Sequence, residues 1–203
     1  MKQEIFHKTA IKGVAAENDI LEFLETYIDN FHLGDVVLSS GTSKGLLKNN
    51  KTGDILAYVG GENSGKKVAI ECKFDKSIKL GDVDSLDIAS NKYDTAWSQL
   101  LETTVNRGAN TSIIVFDKTL ADASIQRAVD GVSYIDNIGF ICIIDYEASD
   151  YHNLAIAYNF ARRQALRKDG KNIEVDFVNM LIQRLLKDIR DIQNIEMLVK
   201  KQY

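Results

Sequence analysis

The sequence predicts an α/β protein in which helices flank a mixed central sheet and a long helix forms the C-terminal part. The first observation is that segments with helical periodicity alternate with short apolar runs of strand character. The second is that three strand-like runs precede the next helix, and a further buried strand follows that helix. An antiparallel start followed by a βαβ crossover accounts for this order and produces a mixed sheet. The 203 residues suffice for one domain with an appendage.

The first half of the chain contains one predicted helix and three predicted strands. Apolar residues recur at helical spacing between residues 13 and 30. This apolar set comprises Val14, Ile20, Leu21, Leu24, Tyr27, Ile28 and Phe31. Strand character is found in VVLSS (36–40), DILAYV (54–59) and KVAIECKF (67–74). Because a Gly/Asn/Ser cluster separates the last two runs, we expect them to form a β-hairpin with a long loop.

The hairpin loop at residues 60–66 also fits the G-x-x-x-x-G-K pattern of a phosphate-binding loop. That pattern continues with Ser or Thr, whose hydroxyl binds Mg²⁺, but Lys67 occupies the position here. A phosphate-binding loop also opens a helix, whereas the run VAIECKF alternates with a period of two, as strands do. We therefore interpret the stretch as a hairpin turn.

The second half alternates between helical and strand-like segments. We predict helices over residues 93–107, 120–134 and 150–168, and buried strands at TSIIVF (111–116) and GFICIID (139–145). Gly108 is predicted to close the first of these helices, and Asp169 and Gly170 to break the last.

The C-terminal segment, residues 174–200, is predicted to be one long amphipathic helix. Its apolar residues are spaced in a heptad-like pattern at Val178, Ile182, Leu185, Ile189 and Ile192. Such a stripe fits a helix packed on its own domain, and equally a partner helix or a homodimer zipper, so the sequence leaves both open. We divide the chain into a domain at residues 1–170 and a C-terminal helix at residues 171–203.

Composition narrows the protein class. The longest nearly apolar run, IGFICII, is much shorter than the roughly 20 residues of a membrane span, and the N-terminus lacks the apolar core of a signal peptide. We therefore expect a cytoplasmic protein. Cys72 and Cys142, the two cysteines, lie in apolar strand-like runs, which favours buried free thiols over a disulfide or a metal site.

The hairpin carries the residues most suited to chemistry. Asp54 opens its first strand, and Glu71 and Lys73 lie two residues apart on its second, so they project from one face. Carboxylate oxygens are the ligands that Mg²⁺ or Mn²⁺ prefers, and a lysine beside them can serve a water molecule or a phosphate. The alternative is a Glu71–Lys73 salt bridge on a solvent-exposed face. The residues expected to face the core instead are Val68, Ile70, Cys72 and Phe74, which would leave the opposite face open to water or a cleft.

The pattern D-(x)₁₆-E-x-K across a hairpin resembles the PD-(D/E)XK nuclease superfamily. The first six predicted elements match the αβββαβ restriction-endonuclease-like core of that superfamily in order. Glu17, four residues after Gly13, corresponds to the acidic residue that many members carry on the first helix. This G-x-x-x-E spacing also resembles bacterial RmuC relatives, although their long coiled coil precedes the nuclease domain and here the long helix follows it. Gly53 stands where the superfamily name has Pro.

The resemblance implies a Mg²⁺- or Mn²⁺-dependent nuclease that hydrolyses DNA to 5′-phosphate and 3′-hydroxyl ends. It implies that Asp54, Glu71 and the backbone carbonyl of Cys72 bind the metal, that Lys73 serves the attacking water, and that Glu17 supports the metal. Gln99 is a candidate auxiliary residue, because many relatives carry a glutamine on the helix after E-x-K.

Lysines cluster around the hairpin although the net charge is −4. Residues 44–79 contain eight lysines and four acidic residues. This segment is either a solvated surface or a basic rim for nucleic acid. The candidate nucleic-acid-binding residues are Lys44, Lys48, Lys51, Lys66, Lys67 and Lys76. The alternative function is a catalytically inactive nuclease-like fold that binds nucleic acid, or a protein partner through the C-terminal helix.

Overall fold

The structure, a computed structural model, describes residues 2–74, 78–81, 94–136, 138–167 and 175–200. The helices are α1 (Lys2–Asn30), α2 (Ala96–Arg107), α3 (Ala123–Ala128), α4 (His152–Leu166) and α5 (Val175–Lys200). The strands are β1 (Val36–Ser39), β2 (Ile55–Tyr58), β3 (Lys67–Lys73), β4 (Thr111–Asp117), β5 (Val132–Ile135) and β6 (Gly139–Ile144). The first six elements in the described ranges follow the predicted order αβββαβ.

The six strands form one mixed sheet in the order β1-β2-β3-β4-β6-β5. The predicted hairpin is confirmed, because β2 and β3 pair in antiparallel fashion and β3 begins at Lys67, directly after the loop. The predicted crossover is also confirmed, because β4 lies parallel to β3, and β6 continues the parallel part. The antiparallel and parallel parts therefore meet at β3, the strand that carries Glu71 and Lys73.

Two hydrophobic cores cover the two faces of the sheet. One lies beneath α1, α4 and α5 and includes Ile70 and Cys72 of β3. The other lies beneath α2 and α3 and includes Ile114 and Phe116 of β4. Since Glu71 pairs with Ile114 and Lys73 with Phe116 in the parallel register, the side chains of Glu71 and Lys73 belong to the α2 face.

The predicted helix over residues 120–134 is wrong in its second part. Helix α3 covers only Ala123–Ala128, and Val132–Ile135 forms β5, which pairs antiparallel with β6 at the edge of the sheet. The run VSYI contains β-branched and aromatic residues, which suit a strand. Pairing with a neighbouring strand is a long-range contact that helical periodicity does not reveal.

Helix α1 begins at Lys2, well before the predicted start near residue 13. Its buried stripe, with members four residues apart, is Ala16, Ile20, Leu24 and Ile28. Val14 and Phe31, which we included in the apolar face, are 58% and 62% exposed. Helix α2 ends at Gly108 as predicted but begins at Ala96, with Thr95 as its N-cap, so the predicted start near residue 93 is too early. The break predicted at 169–170 lies outside the described residues.

Helix α5 packs on its own domain through its first half. Val178, Ile182 and Leu186 are buried in the core beneath α1 and α4. Leu185 and Ile192, two members of the predicted stripe, are exposed instead. The boundary predicted between residues 170 and 171 lies outside the described residues. Across the described part of the chain, none of the helices combines the length and apolar character that crossing a membrane requires.

Candidate active site

Asp54 lies beside the part of β3 that carries Glu71. It precedes β2 by one residue, Ile55 pairs with Ile70, and the amide of Asp54 donates to the Ile70 carbonyl at 2.8 Å. The Asp54 carboxylate accepts a hydrogen bond from the Cys72 amide, and Lys73 lies two residues beyond Glu71 on the same face of β3. The β-hairpin therefore brings together the three residues on which the sequence-based hypothesis depends.

Each carboxylate accepts a hydrogen bond from a backbone amide of the other strand, or of a residue just before that strand. The Cys72 amide donates to Asp54 Oδ2 at 2.7 Å, and the Gly53 amide donates to Glu71 Oε2 at 2.5 Å. The Lys73 ammonium forms an ion pair with Glu71 Oε1. These contacts fix the direction of both carboxylates before any ligand binds.

Helix α1 completes a cavity of about 280 Å³ around these groups. The cavity is lined by Gly13, Val14, Glu17, Asp54, Glu71, Cys72, Lys73 and Phe74. All four residues predicted to be catalytic thus surround one space, and so does Cys72, whose carbonyl is the third expected metal ligand. The G-x-x-x-E spacing matters here, because residues four apart lie on the same side of a helix.

The cavity is strongly anionic for a buried environment. Three carboxylates and one ammonium line it. Burial, then the charge of Glu71 and that of Glu17, raise the pKa of Asp54 to about 7, against the opposing effects of the Cys72 amide and the Lys73 ammonium. Burial is likewise the main reason why the pKa of the Cys72 thiol lies well above its usual value, so this thiol stays protonated.

The face that carries these residues was expected to be open to water or to a cleft, and Glu71 and Lys73 line the cavity rather than an open surface. Glu71 is 4% and Lys73 9% exposed, because α2 packs over this face of β3. Their ion pair does form, but in a buried place rather than on a solvent-exposed face. The cavity lies where the end of β3 meets residues 13–17 of α1.

Gln99 lies on α2 but outside the cavity lining. Its side chain is buried, and its amide donates to Glu102 at 3.3 Å. Glu102 also accepts a hydrogen bond from Asn50. The structure therefore connects Gln99 to the loop between β1 and β2, and its predicted auxiliary role stays a prediction.

The predicted basic rim divides into two groups. Lys44, Lys48 and Lys51 are exposed on the loop at residues 40–53, which we call the clamp loop and which ends beside Asp54. Lys66 and Lys67 lie at the other end of β3. At a rise of about 3.3 Å per residue, Lys67 is about 13 Å from Glu71 along the strand. The Lys67 ammonium lies 5.5 Å from the centre of the Tyr58 ring. Lys76 lies outside the described residues.

Sequence reasoning missed the residues that hold the clamp loop. Arg107, at the end of α2, is 7% exposed and donates hydrogen bonds to the carbonyls of three clamp-loop residues, Ser40, Ser43 and Lys51. Asn106 accepts from the Leu47 amide at 3.0 Å. A single arginine at the end of an amphipathic helix is ordinary in sequence, so the pattern contained no signal that would have singled it out.

The candidate site is not a complete protein metal centre by itself. Among the described residues, no group of three or more His, Cys, Asp or Glu side chains is arranged to hold a metal ion. The available set is Asp54 and Glu71, with the Cys72 carbonyl and Glu17 around the same cavity. Such a partial set suits an ion that keeps several water ligands.

Comparison with protein-family models, with curated proteins and with solved structures found no match for this chain. The interpretation of the site therefore depends on its own geometry and on the motif resemblance.

Proposed function

We propose that this protein is a metal-dependent nuclease of the PD-(D/E)XK type that hydrolyses phosphodiester bonds in DNA in the cytoplasm. The observation that supports it best is the convergence of Asp54, Glu71, Lys73 and Glu17 on one cavity at the end of a β-hairpin. The αβββαβ order of the first elements also fits the restriction-endonuclease-like core. A salt bridge that merely solubilised a surface strand would not require Asp54, a half-buried carboxylate, beside it.

The residues present fit Mg²⁺ or Mn²⁺. Their donor atoms are hard carboxylate and carbonyl oxygens, which both ions prefer. Burial, and then the negative charges of Glu71 and Glu17, raise the pKa of Asp54, and a bound divalent cation would favour its ionised form. Asp54, Glu71 and the Cys72 carbonyl would hold the ion, with Glu17 alongside. When bound, the ion would polarise a phosphoryl oxygen and lower the pKa of a coordinated water.

Different lysines would serve catalysis and DNA binding. The Lys73 ammonium, anchored by Glu71, would orient the attacking water and stabilise negative charge developing on the phosphate. The exposed lysines of the clamp loop would contact the phosphodiester backbone on one side of the cavity. This division predicts that chemistry and DNA binding can be separated by mutation.

The decisive experiment is the substitution Lys73→Ala. Incubation of wild-type protein with supercoiled, linear and single-stranded DNA should show cleavage in Mg²⁺ or Mn²⁺ and none in EDTA. Lys73→Ala should lose cleavage by at least about 100-fold, because a positioned charge and proton-handling group contribute on that order. DNA binding, measured by fluorescence anisotropy, should remain within about threefold.

The matched control for this experiment is Lys187→Ala, which removes an exposed lysine of α5 remote from the cavity. It should cleave like the wild type. Equal cleavage by Lys73→Ala and wild type would refute the assigned role of Lys73, and absence of metal-dependent cleavage by the wild type would refute the proposed activity.

A second candidate function is a catalytically inactive nuclease-like fold that binds nucleic acid or a protein partner. The second half of α5 favours this function, because its apolar residues are exposed in the part of the chain that the structure describes. They are Ile192, Ile195, Met197, Leu198 and Val199. Shifted but uncut DNA in the same assay would support a nucleic-acid binder, and a concentration-dependent mass would support a homodimer.

A further inference from the structure

We propose that Arg107 is a positioning residue that holds Asp54 and Glu71 in place through the two ends of the clamp loop. The inference rests on the proposed function, since it assigns a role toward the metal-binding carboxylates. It concerns a residue 36 positions from Glu71 in the chain, on a different element, that lines a neighbouring cavity and not the candidate active site.

The guanidinium of Arg107 is almost fully used by the clamp loop. Nη2 donates to the Ser40 carbonyl at 2.8 Å and to the Lys51 carbonyl at 2.7 Å. Nη1 donates to the carbonyl of Ser43 at 3.2 Å and to its hydroxyl at 3.1 Å. One buried cation thus joins the beginning, the middle and the end of the loop, which a planar fork of five donors can do.

Both ends of the clamp loop make direct contacts with the carboxylate residues. The amides of Ser40 and Gly41 donate to the backbone carbonyl of Asp54 at 2.7 and 3.0 Å. At the other end, the Gly53 amide donates to the Glu71 carboxylate at 2.5 Å. The Ser40 hydroxyl also donates to the Gly53 carbonyl at 2.9 Å, which ties the two ends together. Movement of either end would therefore move a carboxylate.

Close packing leaves little freedom for another arrangement. Gly53 has φ of 95°, and a Cβ at this position would lie 2.7 Å from Arg107 Cγ. At Gly41, a Cβ would lie 3.1 Å from the Oδ1 atom of Asp54. The glycines thus allow the arginine stem and the aspartate carboxylate to approach the loop backbone directly.

The charge of Arg107, like its hydrogen bonds, helps to hold Asp54 and Glu71 in place. Burial lowers the pKa of Arg107, while the negative charges of Asp54 and Glu71 raise it, so the guanidinium interacts favourably with both carboxylates. Lysine at this position would keep the charge but could not bind three separated carbonyls with its compact ammonium. Arginine to lysine is therefore the informative substitution.

The test compares Arg107→Lys with Ile182→Ala. Ile182 is fully buried in the core beneath α1 and α4, so its truncation destabilises the fold without removing any contact of the clamp loop. We expect Arg107→Lys to weaken Mn²⁺ binding, measured by isothermal titration calorimetry, by about 10- to 100-fold. We expect its kcat to fall by a similar factor with KM changed by less than about threefold. Ile182→Ala should keep the Mn²⁺ affinity of its folded form within about threefold.

Thermal unfolding of both variants, followed by circular dichroism, separates positioning from stability. Equal loss of Mn²⁺ affinity in folded Ile182→Ala, or unchanged affinity in a folded Arg107→Lys, would overturn the proposal. Should Arg107→Lys fail to fold, Ser40→Ala removes only the hydroxyl link to Gly53 and should still weaken Mn²⁺ binding several-fold, and unchanged affinity there would overturn it too. Wild-type protein that binds no Mn²⁺ and cuts no DNA would refute the proposed function together with this role. If the wild type is active and Arg107→Lys keeps its Mn²⁺ affinity and kcat, only the positioning role of Arg107 would be refuted.

Discussion

Asp54 is the residue at which stability and the proposed function conflict. Its carboxylate is largely buried and faces two other anions, Glu71 and Glu17, with the Lys73 ammonium as the counter-charge of the cavity lining. Taking a carboxylate out of water and placing it beside like charges both disfavour its ionised form. A fold that maintains such an arrangement gives up stability at this position, which the proposed cation-binding role would explain.

We predict that Asp54→Asn stabilises the metal-free protein at alkaline pH. Because the pKa of Asp54 is raised from 3.8 to about 7, the folded state retains a proton that the unfolded state has released between these values. The free energy of unfolding therefore falls as pH rises from about 4 to about 7 and stays lowered above it. Asparagine does not titrate, so its advantage should grow through this window and reach on the order of 2–4 kcal/mol at pH 8.

Urea unfolding in EDTA at pH 5, 6, 7 and 8 measures this difference. Mg²⁺ should raise the stability of the wild type and leave that of Asp54→Asn nearly unchanged, because bound ligand stabilises the state that binds it. A variant that is less stable than wild type at every pH would contradict the assigned electrostatic conflict.

At the scale of elements, α5 consists of two halves with different environments. Its first half contributes Val178 and Ile182 to the core. Asn179 continues the docking through hydrogen bonds with the edge strand β5: its side chain accepts from the Tyr134 amide at 2.8 Å and donates to the Tyr134 carbonyl at 3.2 Å. In the second half, Ile192 is 58% exposed. The two explanations left open by the heptad-like stripe thus apply to different parts of one helix.

We predict that Ile182→Ala lowers the free energy of unfolding by about 2–5 kcal/mol, because it removes fully buried methyl groups and leaves a cavity. Ile192→Ala, its matched control on the same helix, should change it by less than about 0.5 kcal/mol. Chemical denaturation at several protein concentrations measures both. A concentration-dependent loss in Ile192→Ala would show instead that the second half of α5 is buried in a homodimer.

At the scale of the whole molecule, the two ends of the sheet contain buried aspartates with opposite surroundings. Asp35, at the end away from the cavity, accepts hydrogen bonds from Arg162 Nε at 2.6 Å, from the Tyr158 hydroxyl at 2.7 Å and from the Gly60 amide at 2.7 Å. A buried carboxylate with a cation and two further donors joins β1, α4 and the hairpin loop. Asp54 at the other end faces anions, so the proposed chemistry and the structural ion pair lie at opposite ends of the sheet.

We predict that the thiols of Cys72 and Cys142 react with an alkylating agent only when the fold opens. Cys72 and Cys142 are buried and free, as the sequence predicted, and burial is the main cause that raises the pKa of both. Because the thiolate is the reactive form, iodoacetamide at pH 8 should modify neither in the native protein and both in urea. Mass spectrometry of the alkylated peptides measures this. Rapid native modification of Cys72, with Cys142 protected as the internal control, would mean that the cavity opens locally and that the prediction is wrong for Cys72.

The hairpin and its three charged residues could be predicted because the signals are local. A period of two places Glu71 and Lys73 on one face, and a turn between adjacent strands places Asp54 beside them. Strand β5 was not predicted, because its sequence also fits a helical pattern. Only its pairing with β6, a contact made in the folded protein, favours the strand. The burial of Glu71 and Lys73 was also missed, since it depends on where α2 packs.

The sequence by itself determined the order of most elements, the hairpin and the chemical character of the candidate site. These follow from periodicity and turn residues, which act between neighbours in the chain. Tertiary structure alone decided that Glu17 reaches the cavity from α1, that Arg107 holds the clamp loop, and that the lysines of the hairpin region divide between two ends of β3. The physical reason is that packing and buried hydrogen bonds join segments far apart in sequence, and no local pattern records which distant partner a side chain will meet.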